Sequence, residues 1–311
     1  MRIRDYDWPM SAPDIPFNKE PPGPAGEAAR LSPLVRRVLA PNKGPFTFTG
    51  TCSYLVGEGK VAVIDPGPDD GGHIEALLAA TKGERVAAIL VTHTHRDHSP
   101  GARLLQARTG APIIGCATHH PNPDPPSGRL DASHDLDHAP DQMLQDGDKF
   151  HGDGFTLEAI ATPGHASNHL AFSLPEENGL FSGDHVMAWS TSIVAPPDGK
   201  MTDYMASLDK LASRSESIYW PGHGHALTEP QRFVRLLAMH RRQREAAILE
   251  RLAQGDRSIP EIVRVIYKGV DERLHRAAGL SVLAHLEDLV ERGMVVSDAG
   301  AATEVAGFSL R

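Results

Sequence analysis

The sequence predicts an α/β protein with a small, mostly helical module at its C-terminal end. Three observations predict it. Up to about residue 228, short β-branched apolar runs alternate with segments of helical period, as in strands and helices packed in layers. Candidate metal ligands recur where those runs end beside Gly or Pro, and strands of one sheet end at a common rim. Beyond residue 228 the order changes to a long helix, two shorter helices and a hairpin, the pattern of a winged helix.

With 311 residues, one large domain plus a small one is expected, and 40% hydrophobic residues suffice for a full core. No apolar run approaches the length of a membrane span, so no membrane partner is expected. Residues 1–30 carry Pro9, Pro13, Pro16, Pro21, Pro22 and Pro24 and read as an extended arm, unable to form helix or central strand. The arm has no apolar h-region, and its acidic residues argue against a mitochondrial presequence. Cys52 and Cys116 form no Cys-x-x-Cys pair and suit a reducing cytoplasm. A formal charge of −9 argues against a surface coated with nucleic acid. From Gln231 onward 13 Lys+Arg face 11 Asp+Glu, so the earlier residues carry −11 and the tail has no basic patch.

In chain order, structure is expected to begin near Leu34 to Leu39. A hairpin follows from Thr51–Val56 and Val61–Ile64 around Gly57-Glu58-Gly59-Lys60, then a helix over Ile74–Ala80. Val86–Val91 reads as a buried strand, Pro100–Thr109 as a helix stopped by Gly110, and Pro112–Gly115 as a strand. Residues 119–148 are rich in Pro, Asp and His; His119, His120, His134 and His138 read as loop histidines, because their spacing is irregular. Strands follow at Phe155–Ala161, Leu170–Leu174, Leu180–Ser182 and Ile218–Trp220, with a helix at Asp203–Leu211. The tail reads as helices at Glu229–Ala253, Ile259–Tyr267 and Asp271–Arg292, then strands at Met294–Val296 and near Thr303–Val305.

The chemistry lies at the strand ends. His93-x-His95-x-Asp97-His98 gathers three imidazoles and a carboxylate in six residues directly after a buried strand. Imidazole and carboxylate are the usual ligands of zinc and related divalent ions, and a solvated loop has no need of four at this spacing. Asp65, His165, Asp184 and His223 stand at other strand ends beside Gly or Pro. Each alone is an ordinary turn residue; together they form a set that a shared rim brings into contact. His185 and His225 read as structural neighbours, because successive strand residues point to opposite faces.

These residues resemble the metallo-β-lactamase superfamily through His93-x-His95-x-Asp97-His98, Thr162-Pro163-Gly164-His165, Ser182-Gly183-Asp184 and Pro221-Gly222-His223-Gly224. The resemblance implies a four-layer αββα metallo-β-lactamase sandwich over residues 31–228, followed by a connecting helix and winged-helix-like domain over 229–311. It implies two Zn2+ per chain, with other divalent metals as alternatives. His93, His95 and His165 would bind one ion, Asp97, His98 and His223 the other, and Asp184 would bridge both. Asp65 would orient a ligand from behind. Asp184 stands where lactamases of this fold often carry Cys or Ser, and His95 where flavo-diiron proteins have Glu. Ile266-Tyr267-Lys268, Leu274-His275 and Leu283-x-x-Leu286 in the tail look like the β-lactamase-like endoribonuclease group.

The resemblance therefore implies a hydrolase acting through a metal-bridging hydroxide, Asp97 orienting it, on single-stranded RNA. His169 would assist the leaving group or hydrogen-bond behind the centre. A second reading is hydrolysis of small esters, thioesters or lactones, which the acidic body does not oppose. A third, of another class, is a non-catalytic regulator whose winged helix binds nucleic acid or protein. Arg273, His275 and Arg276 on the candidate recognition helix share it with Glu287, Asp288 and Glu291, a mixture that favours packing against the catalytic domain.

Overall fold

The computed structural model describes residues 15–120, 134–269 and 275–311. The first part of the proline-rich arm (1–14), the middle of the insert (121–133) and residues 270–274, including Arg273 and Leu274, lie outside the described residues.

The first sheet begins with β1 (Ala28–Arg30), β2 (Val35–Leu39), β3 (Cys52–Val56) and β4 (Lys60–Ile64), all antiparallel neighbours. Order therefore starts before Leu34: Ala28–Arg30 is free of proline and pairs at the sheet edge, and Ile15 is buried. After α1 (Gly71–Ala80), β5 (Arg85–Val91) lies parallel to β4; after α2 (Gly101–Thr109), β6 (Ile113–Gly115) lies parallel to β5. Asp70 caps α1 by accepting from the His73 backbone N–H at 2.9 Å, and Gly110 ends α2 in the left-handed region. A two-residue β7 (Gln142–Met143) completes the order β1-β2-β3-β4-β5-β6-β7.

The second sheet holds β8 (Lys149–His151), β9 (Thr156–Ala161), β10 (Leu170–Leu174), β11 (Gly179–Gly183) and β12 (Ile218–Pro221), in the order β12-β11-β10-β9-β8. Its side chains alternate between two cores, as the pleat requires. Leu157, Ala159, Phe172, Phe181 and Trp220 pack in one core with residues of the first sheet such as Leu55 and Val63. Ile160, Ala171, Leu180 and Tyr219 face the other way, onto α3 (Met201–Ala212) and α4 (Pro230–Ala253). Helices thus flank two facing sheets, and the predicted αββα sandwich is the fold observed. Among the described residues no helix is long and apolar enough to cross a membrane.

The tail adds α5 (Ile259–Ile266), α6 (His275–Glu291) and a wing of β13 (Val295–Ser297) and β14 (Phe308–Leu310). A capping box between Ser258 and Glu261 starts α5. The returning wing strand comes later than the predicted 303–305, and burial explains the slip. Val305 is 90% exposed, whereas Phe308 is 1% exposed and donates its N–H to Arg257 O at 2.8 Å.

The tail is also anchored to the sandwich. Arg241 of α4 is buried, stacks over Tyr204, and donates to Ser192 O and to Ser281 Oγ of α6. Ala284 joins the core beneath α3, Thr202 donates to Asp288 at 2.7 Å, and Lys200 pairs with Glu291 at 3.1 Å. Truncation after Ala253 would remove Ser281, Ala284, Asp288 and Glu291 from these contacts and expose the apolar surface that α6 covers. The melting temperature is expected to fall by more than about 10 °C by calorimetry; an unchanged melting temperature would make the tail an independent module. Burial and the neighbouring Glu291 push Glu287 up to about 7. A carboxyl raised in the folded state adds stability below its unfolded value and loses it as pH rises through the folded value. Glu287→Gln should therefore raise the melting temperature at pH 8 and leave it nearly unchanged at pH 5.

Candidate metal centre

Seven predicted ligand residues meet where the two sheets' strand ends face each other. His93, His95 and His165 form one group, and Asp97, His98, Asp184 and His223 a second. The first sheet supplies the loop after β5; the second supplies the turns after β9, β11 and β12. Cys52 N–H donates to Gly222 O at 2.8 Å and Tyr54 OH to Pro221 O at 2.7 Å, which holds the two rims together.

The outer nitrogen of each of four imidazoles is fixed, and that fixes what the inner nitrogen offers. His165 Nδ1 donates to Ile193 O at 2.6 Å and His223 Nδ1 to Gly50 O at 3.1 Å. His98 Nδ1 donates to Asp65 Oδ2 at 2.9 Å. Thr92 Oγ1 donates to Asp65 Oδ2 at 2.7 Å and so accepts from His93 Nδ1 at 3.0 Å. In all four, Nε2 is the nitrogen turned inward, able to offer its lone pair to a metal once deprotonated. Asp65 also accepts from Thr92 N at 2.8 Å, and its φ of 49° is an unusual conformation for a non-glycine residue, held by these bonds.

The inward atoms crowd together. His93 Nε2 and His165 Nε2 each lie 3.0 Å from His95 Nδ1. In the second group His223 Nε2 is 3.1 Å from Asp97 Oδ2 and 3.3 Å from Asp184 Oδ2, and His98 Nε2 is 3.4 Å from both carboxylates. Asp184 Oδ2 is 3.8 Å from His165 Nε2, so Asp184 stands between the groups. Its buried Oδ1 has no hydrogen-bond partner. Ligand atoms about 2.0–2.1 Å from a tetrahedral zinc are about 3.3 Å apart, and converging lone pairs repel unless a cation lies among them. The donor set fits two divalent ions.

Electrostatics point the same way. Burial pushes the Asp97 and Asp184 carboxyls up, but the imidazoles of His98 and His223 outweigh it and hold both well below the usual carboxylate range. Burial alone would lower His98 and His223; the facing carboxylates raise His98 well above the ordinary imidazole value and His223 to about 10. Burial, reinforced by neighbouring imidazoles, keeps His93 and His95 well below theirs.

Two glycines permit the crowding. A Cβ on Gly222 would lie 2.2 Å from Asp184 Oδ1 and 2.7 Å from His98 Cε1. One on Gly183, whose φ is 50°, would lie 2.5 Å from His169 Nε2. His169 is buried, with Nδ1 on Thr162 Oγ1 at 2.8 Å and Nε2 accepting from Asp184 N at 3.1 Å. Both nitrogens are thus occupied, and of its two predicted roles this geometry fits the hydrogen-bonded one behind the centre. His185 packs against Tyr204, and His225 bonds Pro21 O, both away from the groups.

The insert corrects one expectation. His134 is no free loop residue: it forms a backbone bridge with His95, hydrogen-bonds Thr94 Oγ1 at 3.0 Å, and stacks on His119 at 3.8 Å. Both face Asp198, which accepts from Ser167 N and Oγ. His119, His134 and Asp198 lie close enough to be considered as ligands, but parallel rings 7° apart hold their lone pairs side by side rather than converging. The cluster instead ties the ends of the insert to the metal-ligand loops. His138 likewise is buried against Cys116. Irregular spacing concealed these contacts, and nothing in the sequence marks Asp198 as their partner.

Residues 46–223 match the profile of the metallo-beta-lactamase superfamily, and residues 258–302 that of the beta-lactamase associated winged helix domain. The chain is 30% identical over 268 residues to the lactamase-like protein adaB of Aspergillus niger, covering 81% of this chain and 78% of that one. It is 31% identical over 246 residues to an atrochrysone carboxyl ACP thioesterase of Aspergillus fumigatus, covering 77% and 68%. It is 30% identical over 276 residues to the beta-lactamase-like protein 2 homolog of Drosophila melanogaster, covering 85% and 90%. Similar folds include a metallo-beta-lactamase family protein of Thermus thermophilus (TM-score 0.73, 23% identity, covering 91% and 100%). A beta-lactamase domain protein of Burkholderia ambifaria is also similar (TM-score 0.76, 20% identity, covering 94% and 95%).

Asp184→Ala should lower bound metal from about two ions per chain and abolish hydrolysis, because one side chain serves both groups. Gly222→Ala should do the same by displacing the Asp184 carboxylate. Full metal content by elemental analysis in either variant would contradict the two-ion assignment. Because protons and metal compete for His98 and His223, metal uptake should release roughly two protons per chain and strengthen as pH rises. Calorimetry in buffers of different ionisation enthalpy reads this release.

Proposed function

The chain belongs to the metallo-β-lactamase superfamily of metal-dependent hydrolases, and from that premise we propose that it hydrolyses thioesters with an apolar acyl group. The observation that carries this reading is the cavity over the ligand groups. It has a volume of about 650 Å3, and His95, Asp97, His165 and Asp184 form part of its lining. The rest is largely apolar, with Phe46, Met187, Ile193, Pro196, Pro197 and Leu280 among the walls. Such a space suits an acyl chain, whereas a single-stranded RNA track needs a cationic groove with stacking aromatics. A relative is named as a carrier-protein thioesterase, which supports the same class.

Divalent ions held by the two groups, zinc first on the imidazole and carboxylate chemistry, would acidify water and polarise the scissile carbonyl. The residues supply the rest. Asp97 is the most open of the carboxylates, with 24% of its side chain exposed, and is placed to orient the attacking water, whose proton passes to the departing sulfur. Water adds to the acyl carbon, the C–S bond breaks, and the thiolate leaves with that proton. Asp65, Thr92 and His169 hold His98, His93 and Asp184 in register, and the apolar walls exclude bulk water. The free, buried Cys52 and Cys116 suit a reducing compartment such as the cytoplasm.

The test is an assay of metal-loaded protein with acyl thioesters, a lactone, a β-lactam and a single-stranded RNA oligomer. Thiol release with kcat/KM of about 10^4 M−1 s−1 or above, lost on chelation and restored by metal, is expected. RNA cleavage that collapses steeply with salt, without thiol release, would return the assignment to a nuclease.

A further inference from the structure

The cavity in front of the ligand groups carries two guanidinium groups, one from the loop after β5 and one from α6. Arg96 stands between the ligand residues His95 and Asp97, is exposed, and lines the cavity. It makes no hydrogen bond or ion pair among the described residues. The lining carboxylates are engaged elsewhere: Asp97 and Asp184 face imidazoles, and Asp198 accepts from Ser167. Arg276 comes from the first turn of α6 and lines the same cavity together with Ala277 and Leu280. Arg276 and Leu280 are four residues apart and share a helix face, and the bonds from α3 and Arg241 that hold α6 fix their position.

This arrangement runs against the charge of its surroundings. Residues before Gln231 carry −11, a field that repels anions. Cations at the mouth of a largely apolar cavity act over short range, and a guanidinium fork matches carboxylate and phosphate oxygens. The winged-helix module thereby becomes one wall of the substrate site.

We propose that Arg96 and Arg276 form an anion-recognising pair, so that preferred substrates are thioesters bearing a second anionic group beyond the scissile bond. This rests on the thioester reading above. The anion is either a carboxylate at the far end of the acyl chain or a phosphate on the thiol side, and the oxygens would be held in the same way.

Two substrate pairs separate these sources in full-length, metal-loaded protein. Glutaryl- against pentanoyl-N-acetylcysteamine varies the acyl end alone; pentanoyl-pantetheine with and without its 4′-phosphate varies the thiol side alone. In at least one pair the anionic member should have a kcat/KM about tenfold or more above its neutral twin, chiefly through KM, and the gap should shrink as ionic strength rises. Arg96→Met and Arg276→Met should each narrow that gap, and the lysine variants should restore part of it; metal content is measured on every variant. Equal rates within both pairs in the unaltered protein would overturn the proposal and leave the thioester reading standing. A preference that survives both methionine variants at full size would also overturn it. No thiol release from any substrate would overturn the thioester reading and this proposal with it.

Discussion

Imidazole nitrogens turned inward at 3.0 Å, beside the buried Asp184 and half-buried Asp97 carboxylates, are the constraint around which this protein is built. Protons shared among these groups relieve part of that crowding, and bound cations would relieve it more fully. The surrounding structure therefore resists a force as much as it positions a ligand. For four of the five imidazoles the inner nitrogen is opposed by an outer bond to a carbonyl, a carboxylate or a hydroxyl; Asp65, in a strained backbone conformation, accepts the one from His98 and, through Thr92, steadies the one from His93. In the absence of an ion, protons on His98 and His223 answer the carboxylates, which is why those two imidazoles are raised while His93 and His95 are lowered.

The sandwich makes this possible because its candidate ligands come from two sheets. Neither rim alone holds a complete set: the loop after β5 contributes His93, His95, Asp97 and His98, and the facing turns contribute His165, Asp184 and His223. The core between the sheets, with Trp220 and Phe181 against Tyr54 and its neighbours, sets the distance between the rims. The glycines at 183 and 222 then let backbone replace side chain where the two meet.

Most of this was legible in the sequence, because ligand chemistry and strand patterning reinforce each other. β5 reads as a strand on its apolar run, and the same run states where its terminal ligands must lie. Where only one signal exists, reading falters. β1, β7 and β8 are two or three residues long and gain their identity from a neighbour's register rather than their own pattern. The sequence points to a second wing strand near Thr303–Val305, but packing selects Phe308–Leu310. His134 reads as a loop residue because its partners, His95, Thr94 and His119, are brought to it only by the fold.

The parts least legible are those that shape the cavity. Phe46, Met187, Ile193, the 196–198 turn and the first turn of α6 come from five separate stretches, and none carries a motif. The ligand cluster must be invariant in geometry, so its residue types and spacing are tightly restricted. A cavity wall needs only to be apolar, or cationic, at the right place, and many sequences satisfy that. Reaction class is therefore written in a few adjacent residues, whereas the walls of the cavity are distributed over α6 and the long loops. The close docking of α6 on α3 follows from the same division: a module that lines the cavity must be held as firmly as the ligands themselves.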